Sequence, residues 1–254
     1  MRTWLKFAAG AVAAILGVAG LGTAQAADLI VFSSMGSVSG LNELAPAFTR
    51  MTGHKLIVSQ EGGAALEQKL NSNAPADLMV LNTGAMQDLI KRGKVVAGSS
   101  VIFARAAVGL SVKSGAPRPD IGTPEAFKRT MLNAKSVGYS RGGSGNVAAR
   151  AIEKLGIAAE MKPKTTFTDV GPAASYVARG EVEMAIQQYN VSKPVAGTDY
   201  IGDLPGDLHD YVVFAIALMA VSKEQEAAKA LIKFAITPEA GPLLRAGMME
   251  PTPR

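Results

Sequence analysis

The sequence predicts an α/β protein of two lobes, each a mostly parallel sheet flanked by helices. Three observations predict it. Short apolar strands alternate with helices at close spacing, the pattern of a largely parallel sheet. The first three strands each end in a small or polar loop that opens a helix. A turn of small residues, Lys113-Ser114-Gly115-Ala116-Pro117, then separates a second α/β unit from the first.

Leu29–Ser33 reads as a buried strand, followed by the chargeless loop Ser34–Gly40 and a helix carrying Leu41, Leu44, Phe48 and Met51. Pro46 is expected to kink that helix, Gly53 to end it, and Met51 to be its last apolar contact. Lys55–Ser59 is the second strand, and Glu61-Gly62-Gly63 opens a helix ending near Asn71. Leu78–Leu81 is the third strand, with Asn82-Thr83-Gly84 before the helix Ala85–Arg92. Val101–Val112 alternates weakly. In the second unit Thr123 and Pro124 start a helix, and Ser136–Ser140 is a strand. Arg141-Gly142-Gly143-Ser144-Gly145 leads into the helix Asn146–Leu155. Thr165–Val170 and Met184–Gln188 are further strands, with Gly171-Pro172 opening the helix Ala173–Arg179 between them. Tyr211–Val221 is a long strand returning to the first unit, and helices over 224–235 and 238–246 close the chain.

The first 26 residues stand apart. Arg2 and Lys6 precede an apolar stretch from Phe7 to Leu21 and the small-x-small site Ala24-Gln25-Ala26, so residues 1–26 are expected to be a cleavable signal peptide and the protein periplasmic. With 48% hydrophobic and 19% charged residues among 254, the chain can bury a substantial core. Without Arg2 and Lys6 its formal charge is +3, too mild to suggest nucleic acid. Cysteine is absent, which excludes disulfides, thiolate chemistry, Cys-based zinc sites and a lipoprotein anchor.

In open α/β sheets ligands sit beyond the carboxyl ends of the strands, where these loops lie. Helix N-termini there present free N–H groups and a positive dipole end, which favour an anion. Ser33, Ser34, Gly36 and Ser37 form the first such wall. The glycines of 141–145 let backbone N–H groups approach an anion, and Arg141 could add a bidentate fork. That run does not match a P-loop; a dinucleotide site through Gly143, Gly145 and Ala148, or a plain tight turn, are the rivals. Gln187 and Gln188 place neutral donors at a strand end. His54 and His209 read as solvated loop residues, and no metal spacing or nucleophile elbow is present.

The stretches Val31–Phe48, Gln68–Leu78 with Ala74-Pro75-Ala76-Asp77-Leu78, Val177–Glu181, Ala227–Phe234 and Thr237–Ala240 resemble the molybdate-binding-protein-like branch of periplasmic solute-binding proteins of ABC importers. The resemblance covers nearly all of the mature chain. It implies the type II periplasmic binding fold, with lobe I over 27–106 and 213–254, lobe II over 107–212, two hinge-crossing segments and hinge closure on a ligand. It also implies an inner-membrane ABC permease as partner and a monomer without cofactor or metal. The family's first ligand serine falls at Gly36, its second serine cluster at Gly62-Gly63-Ala64, and its pocket tyrosine at Gln188 beside Tyr189. Its second-lobe backbone donors fall at Ser144 and Val170. The expected ligand-binding set is therefore Ser33, Ser34, Gly36, Ser37, Gly62, Gly63, Asn82, Arg141, Ser144, Gly145, Val170, Gly171, Gln187 and Gln188. Glycines in place of hydroxyls are expected to make room, so that a small organic carboxylate suits the pocket as well as a metal oxyanion. The alternative is an aconitate-isomerase-like enzyme, for which Glu61 is the nearest approach to a base.

Overall fold

The computed structural model describes residues 26–252; the leader expected over 1–26 lies, but for its last residue, outside them. β1 (Asp28–Ser33), α1 (Met35–Thr52), β2 (Lys55–Gln60), α2 (Gly63–Asn71), β3 (Leu78–Asn82) and α3 (Thr83–Lys91) form the first βα run. β1 lies between β2 and β3, parallel to both. Asp77 ties this run together from a buried position: it accepts from the Ile30 N–H at 2.9 Å and from Ser222 Oγ at 2.8 Å.

β4 (Val101–Lys113) is a 13-residue strand. After it come α4 (Pro124–Asn133), β5 (Val137–Tyr139), α5 (Gly143–Lys154), α6 (Ala158–Met161), β6 (Thr165–Phe167), α7 (Ala173–Ala178), β7 (Met184–Gln188), α8 (Tyr189–Ser192) and β8 (Thr198–Asp203). β9 (Tyr211–Leu218), α9 (Gln225–Ala235), α10 (Ala240–Ala246) and β10 (Glu250–Pro251) return to the first run. The strand order is β2-β1-β3-β9-β4-β7-β5-β6, with β8 and β10 also paired to β4. The first part of β4 pairs with β9 through Ala107, and from Val108 onward it pairs with β7. One strand is thus shared by two lobes.

Each lobe keeps a parallel core, as expected, but β9 runs antiparallel to both β3 and β4, and β4 antiparallel to β7. A chain that crosses to the second lobe and comes back must run its two crossings in opposite senses. Helix α1 is continuous through Pro46 and ends at Gly53, whose φ of 80° supplies the left-handed cap. Met51 is 60% exposed and makes no core contact; Phe48 is the last fully buried apolar side chain of α1. β6 and β9 stop short of the expected Val170 and Val221, because the chain turns after Phe167 and after Leu218.

The largest difference is at two helix starts. α1 begins at Met35 and α5 at Gly143, so both stretches read as loops are first turns. Glycine there serves close approach. A β-carbon at Gly145 would fall 1.6 Å from the Ser140 carbonyl oxygen, so no other residue fits this turn.

Candidate functional site

A cleft of about 420 Å³ opens where the carboxyl ends of β1, β2 and β3 face α5, β6 and β7. Phe214, Val212, Val191 and Met35 give it an apolar floor, and the rest of its lining is polar side chains and glycines. Three helices present their N-termini to it: α1 through Ser34, α2 through Gly62, and α5 through Gly142. None of the three has a side-chain cap; in α1 the Ser37 N–H turns back to the Ser34 carbonyl at 3.1 Å, and the other first-turn N–H groups can serve an anion.

Neutral side chains add donors. Asn82 caps α3 by accepting the Ala85 N–H through Oδ1, which turns its Nδ2 to other partners. Gln187 accepts the Ala173 N–H through Oε1 at 2.8 Å, and among the described residues no group accepts from its Nε2. Gln188 lines the cleft with no side-chain hydrogen bond among the described residues. Thr168 is 3% exposed and its Oγ1 is buried without a partner, an arrangement native proteins rarely tolerate.

The charged groups are paired. Arg141 sits at the lip, half exposed, with Nη1 2.5 Å from Asp169 Oδ1 and its guanidinium 4.0 Å from the centre of the Phe167 ring. Glu61 reaches the cleft from the end of β2, and its Oε1 accepts from Lys69 Nζ and Ser59 Oγ. Burial pushes the Glu61 carboxyl up, but the hydrogen bonds from Lys69 and Ser59 and the Lys69 charge outweigh it, holding the group below its usual range and ionised at neutral pH. With both cations engaged, attraction for an anion falls to the helix termini and the neutral donors.

Of the residues read from the sequence, Ser34, Gly36, Gly62, Gly63, Asn82, Arg141, Ser144, Gly171, Gln187 and Gln188 line this cleft. Ser33, Ser37, Gly145 and Val170 do not. Ser33 and Ser37 are buried beneath it and share a 2.8 Å hydroxyl hydrogen bond, while Ser37 also donates to the Val80 carbonyl. Gly145 packs on Ser140, and Val170 is 79% exposed with its N–H toward Tyr176 Oη. Tyr189 turns away from the cleft onto Tyr200, ring centres 5.0 Å apart. His54 is no solvated loop residue: its Nδ1 accepts the Ala27 N–H at 2.9 Å and its ring stacks on Phe48. Thr168, Ser140, Asp169 and Phe214 line the cleft without having been singled out; Thr168 was hidden inside a strand expected to run on to Val170.

Residues 29–247 match the family described as bacterial extracellular solute-binding protein. The chain belongs to that family. This solute-binding protein is 30% identical over 231 residues to an aconitate isomerase from a Pseudomonas species, covering 89% of this chain and 88% of that one. It is 26% identical over 233 residues to the molybdate-binding protein ModA of Azotobacter vinelandii, covering 88% and 90%. Its fold matches the crystallised periplasmic molybdate-binding protein of the same organism with a TM-score of 0.72 at 16% identity, over 89% of this chain and all of that one. The solute-binding protein therefore has the two-lobed type II periplasmic binding fold expected from its sequence.

Proposed function

We propose that this solute-binding protein captures a small organic polycarboxylate in the cleft between its lobes and presents it, lobes closed, to an inner-membrane ABC permease. The observation that carries this reading is a cleft of about 420 Å³ walled by three uncapped helix N-termini and unpartnered neutral donors. Glycine at 62 and 63 leaves open space beside Glu61 for a ligand larger than a tetrahedral oxyanion. The reading places the protein in the periplasm behind a leader over 1–26. It divides the chain at 106/107 and 212/213, a division supported by the change of partner along β4 after Ala107. The ligand set is the ten lining residues named above together with Thr168.

The test is a thermal-shift panel of molybdate, tungstate, sulfate, phosphate, citrate and cis- and trans-aconitate. A ligand at a hundredfold excess over its Kd should stabilise by about 2.7 kcal/mol. A shift with tricarboxylates and none with the oxyanions is expected; a response to oxyanions alone overturns the carboxylate assignment.

A second reading, isomerisation of the bound carboxylate, is favoured by the 30% identity to an aconitate isomerase and by the carboxylate of Glu61 in the cleft wall.

A further inference from the structure

We propose that Glu61 is the acid–base group of a proton-transfer reaction in this cleft, in which the double bond of a bound unsaturated polycarboxylate moves by one carbon. The proposal rests on the second reading above and gives it a chemical agent. Such a reaction needs one group able to take a proton from carbon, and the lining offers few. Among the described residues no histidine lines the cleft, and only two carboxylates do. Asp169 is largely exposed at the lip and engaged by Arg141. Glu61 is 93% shielded from solvent, in the wall, and its partners Lys69 and Ser59 both bind the same oxygen, Oε1. That geometry fixes the carboxylate and leaves Oε2 as the basic atom.

The surroundings suit the chemistry. Glu61 immediately precedes the uncapped start of α2, where Gly62 and Gly63 have no atom within 4 Å of a β-carbon position, so a ligand can come close to it. In the step, Glu61 takes a proton from a methylene beside a carboxylate. The electron pair of the broken C–H bond becomes the new double bond, and the electrons of the old one pass onto the conjugated carboxylate at its far end. The same proton, or one exchanged with water, is then returned to the former vinylic carbon, and Glu61 is ionised again. No oxidant, reductant or cofactor enters. The charge that builds on the far carboxylate would be met by the N-termini of α1 and α5, which line the cleft with Thr168. The charged groups around Glu61 are Lys69 on α2 and, across the opening, Arg141 and Asp169.

The experiment is proton NMR of cis- and trans-aconitate with the protein in deuterium oxide, following loss of the methylene and vinylic signals and interconversion of the isomers, with thermal shift measured in parallel. We expect exchange by the wild type, and in Glu61→Gln a fall of about 100-fold or more with the ligand-induced shift retained. Undiminished exchange in E61Q overturns the role of Glu61. A wild type that is stabilised by aconitate but exchanges no faster than buffer overturns this inference and leaves the binding reading standing. No stabilisation by either isomer removes both. Should E61Q fail to fold, Lys69→Met takes its place: loss of the ammonium should move the acid limb of the exchange profile to higher pH, and an unmoved limb overturns the proposal.

Discussion

A β-carbon at Gly36 would lie 2.7 Å from Nε2 of Gln188 and 2.7 Å from the tip of the Phe214 ring. The first turn of α1 and the end of β7, one from each lobe, therefore meet closer than a side chain at position 36 permits. Glycine in place of a family serine does not make room here, whereas at Gly62 and Gly63 it does. Gly36→Ser is accordingly expected to displace Gln188 and to destabilise the protein by about 1–3 kcal/mol while weakening ligand binding. Gly62→Ser, at an N-cap with extended backbone, should be neutral or stabilising by a few tenths of a kcal/mol. Denaturant midpoints of the two variants check the contrast.

Thr168 separates binding from stability. Its hydroxyl is buried without a partner, so replacing it with a methyl group of the same shape removes a desolvation cost. Thr168→Val should leave the unliganded protein as stable as the wild type or more so. Titration calorimetry with the stabilising carboxylate should show about tenfold weaker binding, the loss of one hydrogen bond.

Asn190 bridges the lobes behind the cleft. Its Nδ2 donates to the Gly36 carbonyl and to Ser39 Oγ, each at 2.9 Å. Asn190→Ala should cost about 1–3 kcal/mol and free the lobes to separate. Small-angle scattering of the unliganded variant should give a larger radius of gyration, and saturating ligand should restore the wild-type value.

The Glu61 pair predicts an acid response. A carboxyl held below its ordinary value near 4.5 stabilises the fold above that pH, and the contribution disappears as pH falls through the lower, folded-state value. Thermal midpoints measured downward from pH 5 should therefore fall more steeply for the wild type than for E61Q. Equal slopes would show that Lys69 and Ser59 give Glu61 no net preference for its charged form.

Much of the fold was legible where a local rule and the tertiary structure agree. Gly53 ends α1 in the left-handed conformation its position suggested, and Thr123 caps α4 through the Ala126 N–H with Pro124 at its first position. What stayed hidden depends on partners distant in sequence. Gly36 reads as part of an anion wall where glycine makes room, until Gln188 and Phe214 are brought against it. β8 carries Asp199, Gly202 and Asp203, shows no strand pattern of its own, and is a strand only because β4 supplies a partner. At the site, Arg141 stood out by its glycine neighbours and proved to be held by Asp169 and Phe167, whereas Thr168 became visible only when β6 ended one residue before it.

The sharing of β4 and β9 also bears on how the chain is made. β3 pairs with β9 from Leu78 against Leu218 to Asn82 against Phe214, so the first lobe's sheet cannot be completed until synthesis has entered the last fifth of the polypeptide. Contacts of such long range are slow to form. The early strands emerge without their central neighbour and stay unpaired on that side through most of translation. Such a chain closes into its native shape only once its tail has followed.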